Sequence, residues 1–100
     1  MDNTKLTGRV EVFTGDQWGT VCGDTWDMND ANVVCRQLGF PQASQAYRGA
    51  THGEGSGPIW MSNVACLGSE SYLHECRNSG WGGWCTHSRD ASVQCSSVIP

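Results

Sequence analysis

Six cysteines in a chain of 100 residues constrain the possible folds more than any other feature of the sequence. An even number of cysteines in so short a chain is typical of a disulfide framework, which forms in an oxidising compartment. A structural zinc site is the alternative, but no Cys-x-x-Cys pair occurs, and the nearest Cys/His neighbours are too closely spaced for one. We therefore expect three disulfides in an extracellular protein, with about 15 pairings left open by counting alone. The cysteines are Cys22, Cys35, Cys66, Cys76, Cys85 and Cys95.

The composition is that of one loop-rich globular domain. Hydrophobic residues make up 38% of the chain and charged residues only 16%, whereas a disordered chain has high charge and few aromatic residues. No stretch approaches the roughly 18 apolar residues of a membrane span, so no membrane insertion is expected. The net charge is −4 and no basic run occurs, so nucleic acid is not an expected partner. The polar start lacks a signal peptide, and we expect a piece excised from a longer protein.

Residue periodicity predicts several short strands. Alternation over residues 8–14, followed by β-prone residues over 18–22, indicates a hairpin. Further strands are expected over 42–47, 59–61 and 91–95. Strands mixed with helical segments indicate an α+β fold with a small sheet.

One main helix is predicted after the hairpin. Apolar residues recur at helical spacing from Ala31 to Leu38 and form a stripe that contains a cysteine. Asn29 or Asp30 can cap the helix, and Gly39 is placed to end it.

Three aspartates, Asp24, Asp27 and Asp30, lie just before this helix and in its first turn. Such a cluster can supply oxygen ligands to calcium. It can also complement the positive end of the helix dipole, and the residues alone favour this second role.

No arrangement typical of a catalytic site is found. Ser56, the serine in the most glycine-rich context, lacks the Gly-x-Ser-x-Gly spacing of a nucleophile elbow. His52, His74 and His87 are in loop-like positions and are expected on the surface. We therefore expect a binding domain rather than an enzyme, and no cofactor.

Seven motifs in sequence order resemble the scavenger receptor cysteine-rich (SRCR) domain, and the six cysteines resemble group A of that family. The resemblance covers residues 8–95, with 1–7 and 96–100 as flanking segments. The motifs are GRVEVF at 8–13, QWGTVC at 17–22, WDMNDANVVCRQLG at 26–39, GSGPIW at 55–60, VAC at 64–66, ESYLHEC at 70–76 and DASVQC at 90–95.

The resemblance implies a fold and a disulfide pairing. The fold is a small curved antiparallel sheet that cradles one main helix. Family members carry an extra strand before residue 8, but residues 1–7 do not look strand-like, so we expect this strand to be truncated or missing. The implied disulfides are Cys22–Cys85, Cys35–Cys95 and Cys66–Cys76.

The resemblance also implies a function. Domains of this kind bind extracellular proteins, microbial surface polymers and other polyanions, as modules of secreted or membrane-anchored receptors. The alternative is a non-catalytic accessory domain that directs a larger extracellular protease or oxidase to its partners. The ligand, the parent protein and the oligomeric state stay open.

Several family members hold calcium with two aspartates after the first cysteine and a glutamate in the last loop. Here Gly23 precedes Asp24, and Ser88, Arg89 and Asp90 follow His87, so the glutamate expected two or three residues after the histidine is missing. Only Asp24 remains of this ligand set. Affinity for calcium depends on the number of charged oxygen ligands, so we expect calcium binding here to be weak or absent.

Five residues are candidates for ligand contact. Arg48, Arg77 and Arg89 could form a face for a polyanion, and the alternative is that they are scattered solvated charges. Trp81 and Trp84 could present apolar area to a partner. Their alternative role, which the sequence slightly favours, is to pack over the neighbouring disulfide.

Overall fold

The computed structural model describes residues 5–97. Within this range no helix has the length and apolar character needed to cross a membrane. The main elements, in chain order, are β1 (Lys5–Arg9), β2 (Glu11–Thr14), β3 (Gln17–Val21), α1 (Met28–Gln37), β4 (Gln42–Tyr47), β5 (Ile59–Met61) and β6 (Ser92–Ser96).

The strands form two three-stranded sheets rather than the one antiparallel sheet that was expected. The first has the order β1-β6-β4 and is antiparallel throughout. In the second, β2 and β3 form the predicted hairpin, and β5 pairs with β3 in parallel. The chain passes from one sheet to the other at Val10, whose N–H donates to the Ala91 carbonyl at 3.0 Å. The α+β class and the single main helix are confirmed.

The strand at the start of the chain is present. Residues that we did not expect to be strand-like extend β1, with Lys5 opposite Ser96, Leu6 opposite Cys95 and Thr7 opposite Gln94. The expectation of a truncated or missing first strand is therefore wrong. The reason is that this strand depends on pairing with β6, which lies at the far end of the chain and leaves no local pattern.

The helix begins two or three residues earlier than predicted. Its cap is Asp27, not Asn29 or Asp30, because the Asp27 carboxylate accepts from the Asp30 N–H at 3.1 Å. Asp30 reciprocates by accepting from the Asp27 N–H at 2.8 Å, which completes a capping box. Gly39, with φ of 96°, ends the helix in the left-handed region as predicted.

Asp30 also connects the helix to the rest of the domain. Its other carboxylate oxygen accepts from the Cys66 N–H at 2.7 Å, and the side chain is buried. Burial raises the pKa of Asp30 to about 6, although the hydrogen bonds from the Cys66 and Asp27 amides act in the opposite direction.

At its start the helix buries more residues than the predicted apolar stripe contains, and at its end it buries fewer. Ala31, Val33, Val34 and Cys35 are buried, whereas Leu38 is 56% exposed. The core beneath this face includes the fully buried Trp26, Val21 and Val64.

All three disulfides have the pairing that the family resemblance implies. Cys35–Cys95 joins the helix to β6, and Cys22–Cys85 joins the end of β3 to the last long loop. These two bonds close loops of 60 and 63 residues, whereas Cys66–Cys76 closes only 10. In the chain-entropy model each long loop contributes roughly 4 kcal/mol, a large part of the stability of so small a domain.

We predict that reduction of all three disulfides unfolds the domain. The near-ultraviolet circular dichroism of its buried tryptophan should collapse on reduction. The double variant Cys66→Ser/Cys76→Ser is the matched control, since it loses only the short loop, worth roughly 3 kcal/mol, and should keep a weakened but cooperative transition. A cooperative thermal transition that survives full reduction would contradict this prediction.

Candidate functional site

The loop after Cys22 meets the loop that precedes β6. The Gly23 N–H donates to the Arg89 carbonyl at 2.7 Å. A Cβ on Gly23 would lie only 2.5 Å from the Arg48 carbonyl oxygen and 2.6 Å from that of Arg89. The backbones of these two arginines therefore converge on Gly23, at the place where relatives are expected to hold a cation.

Asp24, the one carboxylate that the family resemblance assigns to that site, is engaged by an arginine. Arg89 Nη1 lies 3.2 Å from both carboxylate oxygens of Asp24. The two side chains are 55% and 36% exposed, so solvent screens the pair and its net contribution to stability is at most about 1 kcal/mol. Ser88 is turned toward Thr86, with 2.7 Å between their hydroxyl oxygens. The guanidinium of Arg89 thus supplies the positive charge beside Asp24.

The three aspartates do not form one ligand cluster. Asp27 and Asp30 are used in the capping box of α1, and Asp24 faces Arg89. The dipole role that the sequence favoured describes Asp27 and Asp30.

One other group of ligand-type atoms lies close together in the described part of the chain. The sulfurs of Cys66 and Cys76 and a carboxylate oxygen of Glu70 lie within 4.8 Å of one another. Both sulfurs belong to one disulfide, so neither is a thiolate able to bind a metal.

The three candidate arginines do not form one face. Arg48 is exposed, its Nε donates to the Trp26 carbonyl at 2.6 Å, and its backbone lies beside Gly23, as does that of Arg89. Arg77 is also exposed, but it forms a backbone bridge with Ala65 beside the Cys66–Cys76 disulfide. The structure therefore brings the backbones of Arg48 and Arg89 together at Gly23, and places Arg77 in a different segment, opposite Ala65.

Trp81 and Trp84 are largely exposed, which contradicts the interpretation that both pack over the disulfide. They are 69% and 52% exposed. The Trp81 ring lies over Gly83, while Gly82 is the buried residue of this loop and contacts Ile59. Trp81 borders a shallow depression of about 280 Å³ that also includes Cys85.

His87 holds two loops together, a role that the sequence did not predict. Its Nδ1 lies 3.0 Å from the buried carboxylate of Asp90, and its Nε2 lies 2.9 Å from the Gly57 carbonyl. Asp90 also accepts from the Gly55 N–H at 2.7 Å. The glycine-rich loop is thus bound to the last loop by two hydrogen bonds, and the bond between His87 and Asp90 connects these two side chains within the last loop. No local motif indicates this, because the partners are about 30 residues apart.

Both ring nitrogens of His87 face acceptors, so the two bonds form together only when the imidazole is protonated. Partial burial lowers the pKa of His87, but the hydrogen bonds to Asp90 and the Gly57 carbonyl outweigh this effect. The pKa is therefore raised above its ordinary value of 6.5.

We predict that the domain becomes less stable as the pH rises above 6.5. The pKa of His87 is raised in the folded state. The stabilisation from its protonated ring is therefore fully present below pH 6.5, and it is lost as the pH rises past the pKa of the folded state. Asp30 also makes the domain less stable as the pH rises, but at lower pH. Because its pKa is raised in the folded state, the free energy of unfolding falls between pH 3.8 and about pH 6. Thermal unfolding of the domain and of His87→Gln, on both sides of pH 6.5, measures the effect. Glutamine keeps a donor for the Gly57 carbonyl but does not titrate. The stability of His87→Gln should therefore fall less steeply above pH 6.5 than that of the original domain, and equally steep falls would contradict the prediction.

Comparison with known proteins gives the same family along nearly the whole chain. The model of the scavenger receptor cysteine-rich domain matches residues 2–96. Galectin-3-binding protein of Pongo abelii is 52% identical over 91 residues, which are 90% of this chain and 16% of that protein. Lysyl oxidase homolog 4 of Bos taurus is 50% identical over 90 residues, which are 89% of this chain and 12% of that protein. The chain therefore spans less than a fifth of either relative.

A solved structure shows the same fold. The dimeric form of the SRCR domain of mouse MARCO superposes with a TM-score of 0.86 at 43% sequence identity, covering 96% of this chain and 92% of that one. The chain therefore belongs to the scavenger receptor cysteine-rich family, whose domains are extracellular and generally serve as non-catalytic binding modules.

Proposed function

We propose that this domain recognises anionic ligands through Arg48 and Arg89, and that it does so without a bound cation. The observation that carries the proposal is that the backbones of these two arginines converge on Gly23, at the position where the family resemblance implies a cation site. Guanidinium groups suit the recognition of sulfate, phosphate and carboxylate groups because they offer planar, paired donors.

The arginine pair has the exposure and the fixed position that a recognition site needs. Arg48 is exposed and is anchored through Nε, so its two terminal nitrogens are not used in that hydrogen bond. Arg89 uses Nη1 for Asp24 and has more than half of its side chain exposed. Within residues 5–97 no carboxylate lies within ion-pair distance of Arg48, so its positive charge is not neutralised locally, although the whole chain carries −4.

The residues present do not fit a calcium ion. Calcium binds through several oxygen ligands, and its affinity rises with the charge of those ligands. Position 23 offers no side chain, position 88 offers a hydroxyl directed to Thr86, and the Asp24 carboxylate already faces a guanidinium. Arg89 would also repel a cation placed beside Asp24.

The loop that carries Arg89 offers a second type of contact. Trp81 and Trp84 are exposed on it, and tryptophan and arginine are the residues most often responsible for binding energy at protein interfaces. An anionic glycan or protein could therefore place its charged groups on the arginines and apolar area on the indoles.

We predict that the double variant Arg48→Ala/Arg89→Ala loses at least about tenfold of its affinity for dextran sulfate, measured by biolayer interferometry in the presence of EDTA. The reason is the loss of two charge-assisted contacts. Arg77→Ala is the matched control, since it removes one equally accessible arginine outside the pair and should leave the affinity nearly unchanged. Equal losses in the two variants would mean that only the overall charge matters, and would overturn the proposal.

A second candidate function is that of a non-catalytic accessory domain within a larger extracellular enzyme. The 50% identity to lysyl oxidase homolog 4 favours it, because that relative is an enzyme by name. In this case the same arginine pair would bind a partner of the enzyme rather than a free polymer. The sequence that flanks this domain in its parent protein distinguishes the two candidates.

A further inference from the structure

A trough of about 930 Å³ runs between the strands and the helix, on surface distinct from the arginine pair. One wall is formed by residues 6–14, which include β1 and β2, and the other by Val34 of α1 and Leu38, the residue that caps its C-terminus. Trp60 and Met61 of β5 also line it. Its volume is at the upper end of the roughly 300–1,000 Å³ typical of ligand sites.

The strand wall of this trough is a sheet edge. β1 is the outer strand of the first sheet and β2 that of the second, so within residues 5–97 each has a strand partner on one side only. Consecutive residues from 6 to 14 line the trough, not alternate ones. Side chains of a strand alternate between its two faces, so lining by consecutive residues indicates that the strand turns its edge toward the trough.

The trough is apolar and nearly uncharged. Leu6 and Leu38 on the two walls are about half-exposed, and Phe13 and Trp18 add exposed rings with centroids 5.2 Å apart. Its charged residues are Arg9 and Glu11, which form an ion pair with each other at 2.5 Å. A partner therefore meets no uncompensated charge here and needs none of its own.

We infer that this trough binds an extended, uncharged segment of a partner protein, which adds as a strand to the edge of β1 and β2. The backbone of such a segment pairs with the unpaired edge, and its apolar side chains, at every second position, enter the trough against Leu38. An edge with a free row of N–H and C=O groups favours a strand over a helix, because a helix has no free backbone groups along its length. The absence of net charge distinguishes this occupant from the anionic ligand of the arginine pair.

The test is selection of a phage-displayed library of random linear peptides on the intact chain. Enriched peptides should carry apolar residues at alternate positions and few charges. N-methylation of single peptide residues should weaken binding at least about tenfold at every second position and leave it unchanged at the intervening positions. The reason is that only every second N–H of the peptide faces the edge of the sheet.

Two surface variants locate the binding. Leu38→Glu should abolish peptide binding while leaving dextran sulfate binding intact, so failure here is separable from failure of the arginine site. Leu67→Glu changes an even more exposed leucine outside the trough and should bind the peptides normally. If no peptide is enriched, or if Leu38→Glu binds as the original chain does, the inference is wrong.

Light scattering and a shortened chain test the other occupants. A dimer in solution that Leu38→Glu converts to a monomer would assign the trough to a second copy. Peptide binding that appears only after removal of residues 1–4 would assign the trough to those residues of the same chain. Either result would overturn the inference, whereas a monomer whose binding is unaffected by the removal supports it.

Discussion

The Cys35–Cys95 disulfide is the bond on which the other contacts of the domain depend. It ties the buried face of α1 to β6, the middle strand of the first sheet, and Cys95 itself lies between Leu6 and Ala43 in the strand register. A chain of 100 residues has a small core and a narrow excess of burial over conformational entropy. The disulfide reduces the entropy of the unfolded chain, so this modest core is sufficient to keep helix and strands together.

The local sequence predicted the elements that depend on local interactions. The β2–β3 hairpin, the end of α1 at Gly39 and the strand Ile59–Met61 all follow from periodicity and turn residues. Lys5–Arg9 could not be predicted in this way, since pairing with β6 makes it a strand. Leu38 continues the apolar stripe of the helix, yet it faces the trough rather than the core, and periodicity does not distinguish the two.

The candidate site was predictable in its composition but not in its geometry. The family resemblance implies that Gly23 and Arg89 occupy positions where several family members carry carboxylates. It does not show that the backbones of Arg48 and Arg89 converge on Gly23, or that Arg77 lies elsewhere, because these relations follow from the tertiary fold. His87 had no local signal at all, since its partner Gly57 belongs to a distant loop.

The central claim is that an arginine has taken over the role of the cation at the junction of two loops, which the Cys22–Cys85 disulfide keeps together. The most direct test is calorimetric titration of the folded domain with calcium. The account predicts no saturable heat of binding, because Asp24 is the only carboxylate left and Arg89 faces it. A dissociation constant below about 1 mM, the range of extracellular calcium modules, would contradict it.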